Sequence, residues 1–276
     1  TVNNRLDYHL VGSTLNITGG NLNIGSAATV TNFNFRIRGT TPSIVVDNTN
    51  NPKTALLNAE TTFRGNMTVR EGSTLNLQTF NLNLVGNSSQ PGNIVNNGLI
   101  TNSSATGSNR FFFNGGHGTQ TISGTGSIGN STTPMAIIAI SNPQGVSFES
   151  TLVANRINLL NGVVSGANNI ILGNGGASSP IVQRGGSPTL IAGSFDVAPV
   201  FNPGVSYSVL YSTALESMNS GFELPINLNG TLELASNVNV TLNAATSVKT
   251  LRFSSTNVGK IVTTSENYLT ISGTLV

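Results

Sequence analysis

From Gly12 onward, apolar and polar side chains alternate one by one. In Gly12-Ser13-Thr14-Leu15-Asn16-Ile17-Thr18 and Asn21-Leu22-Asn23-Ile24, the residues Leu15, Ile17, Leu22 and Ile24 fall on one face and Asn16, Asn21 and Asn23 on the other. A period of two is the mark of a half-buried strand. It returns in Phe33-Asn34-Phe35-Arg36-Ile37, Leu75-Asn76-Leu77, Leu82-Asn83-Leu84, Ile157-Asn158-Leu159, Leu232-Glu233-Leu234, Val238-Asn239-Val240-Thr241-Leu242 and Leu269-Thr270-Ile271. Each run is short and bounded by Gly, Asn or Pro, residues that end strands at turns. Helical period is nearly absent, and residues 214–218 offer the one candidate helical turn. The chain reads as essentially all-β.

An internal repeat separates the all-β architectures. Gly12-Ser13-Thr14-Leu15-Asn16-Ile17-Thr18-Gly19-Gly20-Asn21-Leu22-Asn23-Ile24 comes back as Gly72-Ser73-Thr74-Leu75-Asn76-Leu77-Gln78-Thr79-Phe80-Asn81-Leu82-Asn83-Leu84, eight identities in thirteen at an offset of 60. Sixty residues are three turns of about twenty. In a parallel β-solenoid the turns stack at roughly 4.8 Å, so like side chains form ladders, with Leu and Ile inward and Asn and Thr outward or at corners. The pattern predicts a right-handed parallel β-helix of about 20–25 residues per coil, roughly 11 to 14 coils and a rod on the order of 55–65 Å long. A β-sandwich is the alternative, because short strands with Gly-rich turns also fit it. Sandwich strands run longer and pair through tight hairpins, which suits these short doublets less well. Residues 1–276 are expected to form a single continuous solenoid around aliphatic ladders that include Leu15, Ile17, Leu75, Leu77, Ile157, Leu159, Leu232 and Leu234.

Composition explains how such a rod is covered. Of 276 residues, 39 are Asn and 31 Gly, while only 8% are charged. Amides and hydroxyls thus replace the usual Lys and Glu surface. Twelve basic and ten acidic side chains leave a net charge of +2, scattered singly, so no cationic run is available to neutralise phosphates and nucleic acid is not an expected partner. The absence of Cys excludes disulfides, thiol catalysis and thiolate metal sites. No apolar stretch reaches the length of a membrane span, so no membrane insertion is expected. Without an initiator Met or a signal peptide, the sequence is expected to be a mature chain or an excised segment.

The second half carries a resemblance. Phe113-Asn114-Gly115-Gly116-His117-Gly118-Thr119-Gln120-Thr121-Ile122-Ser123-Gly124-Thr125-Gly126 is followed by Asn142-Pro143-Gln144-Gly145-Val146-Ser147-Phe148, Leu152-Val153 and Ile157-Asn158-Leu159-Leu160-Asn161-Gly162-Val163-Val164. Then come Asn168-Asn169-Ile170-Ile171-Leu172-Gly173, Gly193-Ser194-Phe195, Tyr207-Ser208-Val209-Leu210-Tyr211 and Glu223-Leu224-Pro225. In wording and order this resembles the long repetitive adhesin-like cell-surface proteins of Bacteroidetes exported by the type IX pathway. The match covers residues 110–276, with a module junction expected near 195–230. What the resemblance implies is an extracellular, non-enzymatic β-helical stalk or adhesive segment. Its implied partners are surface glycans or a host or neighbouring cell surface. A self-assembling filament or surface-layer subunit stacking head to tail is the alternative.

Because parallel β-helices include glycosidases and lyases, the polar motifs need weighing. Gly116-His117-Gly118 is found in polygalacturonase-type enzymes, which also need clustered carboxylates. Here the ten acids (Asp7, Asp47, Glu60, Glu71, Glu149, Asp196, Glu216, Glu223, Glu233, Glu266) are dispersed, and His117 reads as a turn residue. His9 has no Ser or Asp constellation beside it. Asp47-Asn48-Thr49-Asn50-Asn51-Pro52 offers oxygens to calcium but only one carboxylate, so it reads as an Asx-rich loop. Asn142-Pro143-Gln144-Gly145 reads as a turn before a strand. Aromatic stacking on a sugar has only Tyr8, Tyr207, Tyr211 and Tyr268 among tyrosines and no Trp. No catalytic, cofactor or metal residue is assigned.

Overall fold

The computed structural model describes residues 5–9, 21–24, 32–38, 40–41, 43–47, 53–104, 106–173, 180–185, 192–254 and 258–276, with side chains at Asn23 and from Ser43 onward. Short strands stack in parallel into three long walls of nine, eleven and eight strands, and a fourth sheet of three strands follows. One coil shows the plan. Thr54–Leu57 lies in the nine-strand wall, Thr61–Phe63 in the eleven-strand wall and Met67–Val69 in the eight-strand wall. Thr74–Asn76 then returns beside Thr54–Leu57, in parallel. This is a β-solenoid of about nine complete turns, as the alternation predicted.

The turns are fewer than the 11 to 14 expected, although only three steps of the eleven-strand wall exceed 25 residues. Along the eleven-strand wall the step from one coil to the next ranges from 19 residues, Ile138 to Ile157, up to 29, Leu82 to Phe111. Turn residues absorb the extra length without disturbing the ladders. In the turn from Asn142 to Gly145, the Gly145 N–H donates to the Asn142 carbonyl at 2.9 Å. Gly145 has φ +90, which a side chain would disfavour.

Register places like residues over like. In the eleven-strand wall Leu82, Phe111, Ile138, Ile157, Val182, Val209, Leu232 and Leu251 follow one another inward. Ile44, Met67, Ile94, Ile122 and Phe148 do the same in the eight-strand wall. Ala55, Leu75, Ile100, Ile128, Leu152 and Ile170 line the nine-strand wall. All are buried, and each large side chain contributes about 1.5–3 kcal/mol. Phe111 and Phe113 stack at 4.7 Å, and Phe113 meets Phe148 edge-on at 5.7 Å, tying two walls together. Leu75, Leu77, Ile157, Leu159, Leu232 and Leu234 are in this column; Leu15 and Ile17 lie outside the described residues.

Two sequence expectations need correction. In its described part the repeat of residues 12–24 and 72–84 is not a repeat of position: Asn21–Ile24 belongs to the eight-strand wall, whereas Leu82–Leu84 belongs to the eleven-strand wall. A Leu-Asn-Leu word states only which side chains point inward, and any wall can use it. Residues 214–218 are not helical, since Ser217–Asn219 is a strand; a 3-10 turn occurs instead at Ala167–Asn169. Amides stand at corners as well as on the outer faces, as the sequence predicts. Asn96, Asn142 and Gln120 are wholly buried.

Those buried amides replace backbone partners at corners. Gln120 donates to the Leu84 carbonyl at 3.0 Å and accepts from Gly115 N at 3.0 Å. Asn142 donates to the Gly118 carbonyl at 2.9 Å and to Gln120 Oε1 at 3.3 Å, and accepts from Gln144 N at 2.9 Å. Half-buried amides bond along the axis: Asn66 Oδ1 accepts from Asn93 N at 2.8 Å, and Asn93 Oδ1 accepts from Thr121 N at 2.9 Å.

Beyond Phe201 the cross-section changes. The eight-strand wall ends at Ser194–Phe195 and the nine-strand wall at Val200–Phe201. The eleven-strand wall runs on through the longer strands Asn227–Leu234 and Thr246–Phe253, which are bulged at Leu228/Thr231 and Val248/Thr250. Opposite it stand Ser217–Asn219, Asn239–Thr241 and Ile261–Val262. Residues 220–226, 242–245 and 263–268 hold no strand where the third wall would continue. Gly221 and Pro225 give the local reason: glycine weakens a strand, and proline cannot donate to a ladder.

Candidate functional site

The end of the nine-strand wall brings together a buried ion pair and an apolar groove. In Ile181–Arg184 the inward positions are Val182 and Arg184, so a guanidinium enters the column where Leu159 stands one coil earlier. Arg184 faces Tyr211 in the next strand. Arg184 Nη1 lies 3.0 Å from Glu223 Oε1, and the glutamate side chain is fully buried. The guanidinium also donates to the Gly193 carbonyl at 2.9 Å and the Asn219 carbonyl at 2.8 Å.

Glu223 Oε1 further accepts from Tyr211 Oη at 2.7 Å and Gly221 N at 2.8 Å, while Oε2 is buried without a hydrogen-bond partner. Burial, then the charge of Glu223, push the Tyr211 phenol well above its ordinary value. Gly221 has a steric reason, because a Cβ there would sit 2.6 Å from Glu223 Oε2. A charge buried this way is held by a complete set of donors on one oxygen, and removing either partner strands the other.

Beside the pair lies a groove of about 580 Å³, walled chiefly by Phe201, Phe222, Leu224, Pro225, Ile226 and Ala244. None of its lining residues is charged. Phe222 is 51% and Ile226 63% exposed, unusual for side chains of this size. Tyr207 braces the groove's upper edge. Its ring meets Phe201 edge-on at 5.1 Å, and its hydroxyl lies 2.6 Å from the Asn202 carbonyl and 2.9 Å from that of Leu172. Burial pushes the Tyr207 phenol up to about 12, against the pull of the Asn202 bond.

The residues singled out by sequence fall elsewhere. His117 is exposed in its turn, and the side chains of Asp7, Tyr8 and His9 lie outside the described residues. Asp47 Oδ1 faces Arg70 Nε at 3.4 Å, an ion-pair contact without hydrogen-bond geometry, and residues 48–52 are not described. Glu233 pairs with Arg252 at 3.6 Å across adjacent coils. Among the described residues no group of three or more His, Asp or Glu is placed to hold a metal ion. Tyr207 and Tyr211 are buried in the column and present no aromatic platform.

Arg184 and Glu223 carry the least expected chemistry, and sequence reading passed over them as such. One signal was available: in Val182-Gln183-Arg184 the period of two puts the arginine inward. Its partner, from the segment replacing the missing wall, has no such signal. The fold defines the chain as a β-solenoid protein. In comparison with family models, curated proteins and solved structures, nothing matches it.

Proposed function

We propose that the chain is a non-enzymatic extracellular structural segment, a stalk or adhesive repeat of a bacterial cell-surface protein. The observation that carries this reading is the continuity of the column. From Leu82 to Leu251 each coil stacks its apolar residue on the last, and corner amides such as Asn66 and Asn93 bond along the same axis. Such a rod holds a fixed length and exposes neutral amide and hydroxyl faces, which suits a spacer outside the cell. Eleven strands stacked at roughly 4.8 Å give a rod of about 50 Å. Protease treatment of intact producing cells is expected to degrade the chain, with single rods of that length in electron micrographs. Full protection on intact cells, with degradation only after lysis, would overturn the reading.

Head-to-tail assembly is the second reading, since a parallel stack whose coils pair like on like can be extended in the same way by the coils of another copy. Fibres of constant width that lengthen with protein concentration would make assembly the function.

A further inference from the structure

On the eleven-strand wall, the positions between the inward rungs face outward in two rows. In the first, Arg110 and Arg156 stand two strands apart with Ile137 buried between them. Asn158 and Gln183 stand in the second, in line with Phe112. At ordinary strand spacing the α-carbons of the two arginines are about 10 Å apart. Both side chains are held. Arg156 Nε donates to Asn158 Oδ1 at 2.9 Å and Nη2 donates to Gln183 Oε1, while the Arg110 guanidinium lies over the Phe112 ring, 5.7 Å from its centroid. Neither guanidinium has an ion-pair partner among the described residues. The carboxylates that flank these rows are Glu60, two strands before Arg110, and Glu233, three strands beyond Arg156 and paired with Arg252. Burial, then the charge of Arg110, lower the Arg156 guanidinium from its ordinary value.

We propose that this face binds an acidic polysaccharide, a linear chain of carboxylate-bearing sugars whose carboxylates pair with Arg110 and Arg156 and whose hydroxyls bond Asn158 and Gln183. Two like charges fixed on one face repel, and an anion laid across them relieves the repulsion. Guanidinium offers a carboxylate two parallel donors, and Arg156, already oriented by its amides, loses little freedom on binding. Asn158 and Gln183 accept from Arg156 through their oxygens, which leaves their N–H groups to donate to a sugar hydroxyl. Two cations set among neutral amides suit a sparsely charged, hydroxyl-rich polymer. A phosphate polymer calls for a longer run of cations. Such a site rests on the adhesive reading of the rod, and the two fail separately, because the purified chain's binding does not depend on where the cell places it.

The probe is β-1,4-linked hexamannuronate, with β-1,4-mannohexaose as the counterpart that carries CH2OH in place of each carboxylate. Isothermal titration of the full chain with hexamannuronate is expected to show saturable binding, weakened at least about tenfold by Arg110→Gln, by Arg156→Gln and by the change to mannohexaose. Arg110 is exposed, so Arg110→Gln is expected to keep the melting temperature, which separates lost binding from lost folding. Lys249→Gln, at an exposed position of the same wall, is expected to leave binding unchanged. No saturation by about 1 mM hexamannuronate would overturn the proposal. Equal binding of mannohexaose, indifference to Arg110→Gln combined with Arg156→Gln, or an equal loss with Lys249→Gln would do the same. Tighter binding of a single-stranded oligonucleotide than of hexamannuronate would assign the face to phosphate polymers and also overturn it.

Discussion

Arg184 Nη1 and Glu223 Oε1 meet at 3.0 Å across 39 residues of chain, inside a column where the rungs on either side of Arg184 are Leu159 and Tyr211. The contact fastens the strandless segment that replaces a wall to the last coil that has three walls. Arg184 reaches the Asn219 carbonyl at the start of that segment, and Glu223 folds back onto Gly221 N. Where ladder bonds end, a charged pair and its donors take over the work of positioning the backbone.

Arg184→Met is expected to destabilise the chain by about 3–5 kcal/mol, because Glu223 is left buried without its cation. Arg184→Met combined with Glu223→Leu is expected to recover most of that loss. Urea denaturation of the single and double variants measures the difference, and additive losses would refute the coupling.

Stability is expected to fall on the alkaline side. With the native Tyr207 phenol raised to about 12, the unfolded chain loses that proton near the ordinary value of 10.0 while the folded chain keeps it. The contribution is intact below about pH 10 and is lost as the pH rises from there to about 12. Tyr211 acts in the same direction. Tyr207→Phe is expected to make the alkaline decline in melting temperature shallower than in the parent chain.

Leu77 is wholly buried and Asn76 half-buried, so neighbouring substitutions are expected to behave oppositely. Leu77→Asp places a carboxylate in the column and costs about 4 kcal/mol or more. Asn76→Asp keeps the oxygen that accepts from Gln78 N at 2.8 Å and changes stability by less than about 0.5 kcal/mol. Similar small losses at both sites, read by thermal unfolding, would contradict the inward and outward assignment.

Asn142→Ala is expected to cost about 1–3 kcal/mol, since Gln144 N loses its acceptor and Gln120 Oε1 a donor. Asn142→Asp is expected to cost more than alanine. It sets a carboxylate against the Gly118 carbonyl and Gln120 Oε1, which now receive donated protons. Chemical denaturation of the two variants gives the order.

Much of the architecture was legible in the chain. Alternation in Leu82-Asn83-Leu84 or Ile157-Asn158-Leu159 identified strands and their buried faces, because a pleated backbone sends successive side chains to opposite sides. Short runs closed by Gly, Asn and Pro pointed to stacked coils. The candidate site was hardly legible. Arg184 could be recognised as an inward charge, but its partner Glu223 sits in a segment with no period at all.

Local alternation thus dictated that the chain is β throughout and which side chains form its column, since strand geometry depends on residues two apart. Only the stacked fold decided which wall each strand joins and where a wall stops. The same Leu-Asn pattern serves different walls at Asn21–Ile24 and Leu82–Leu84. The groove at Phe201 and the Arg184–Glu223 pair exist because the stack loses a wall there, a consequence of long-range register that alternation along one segment does not encode.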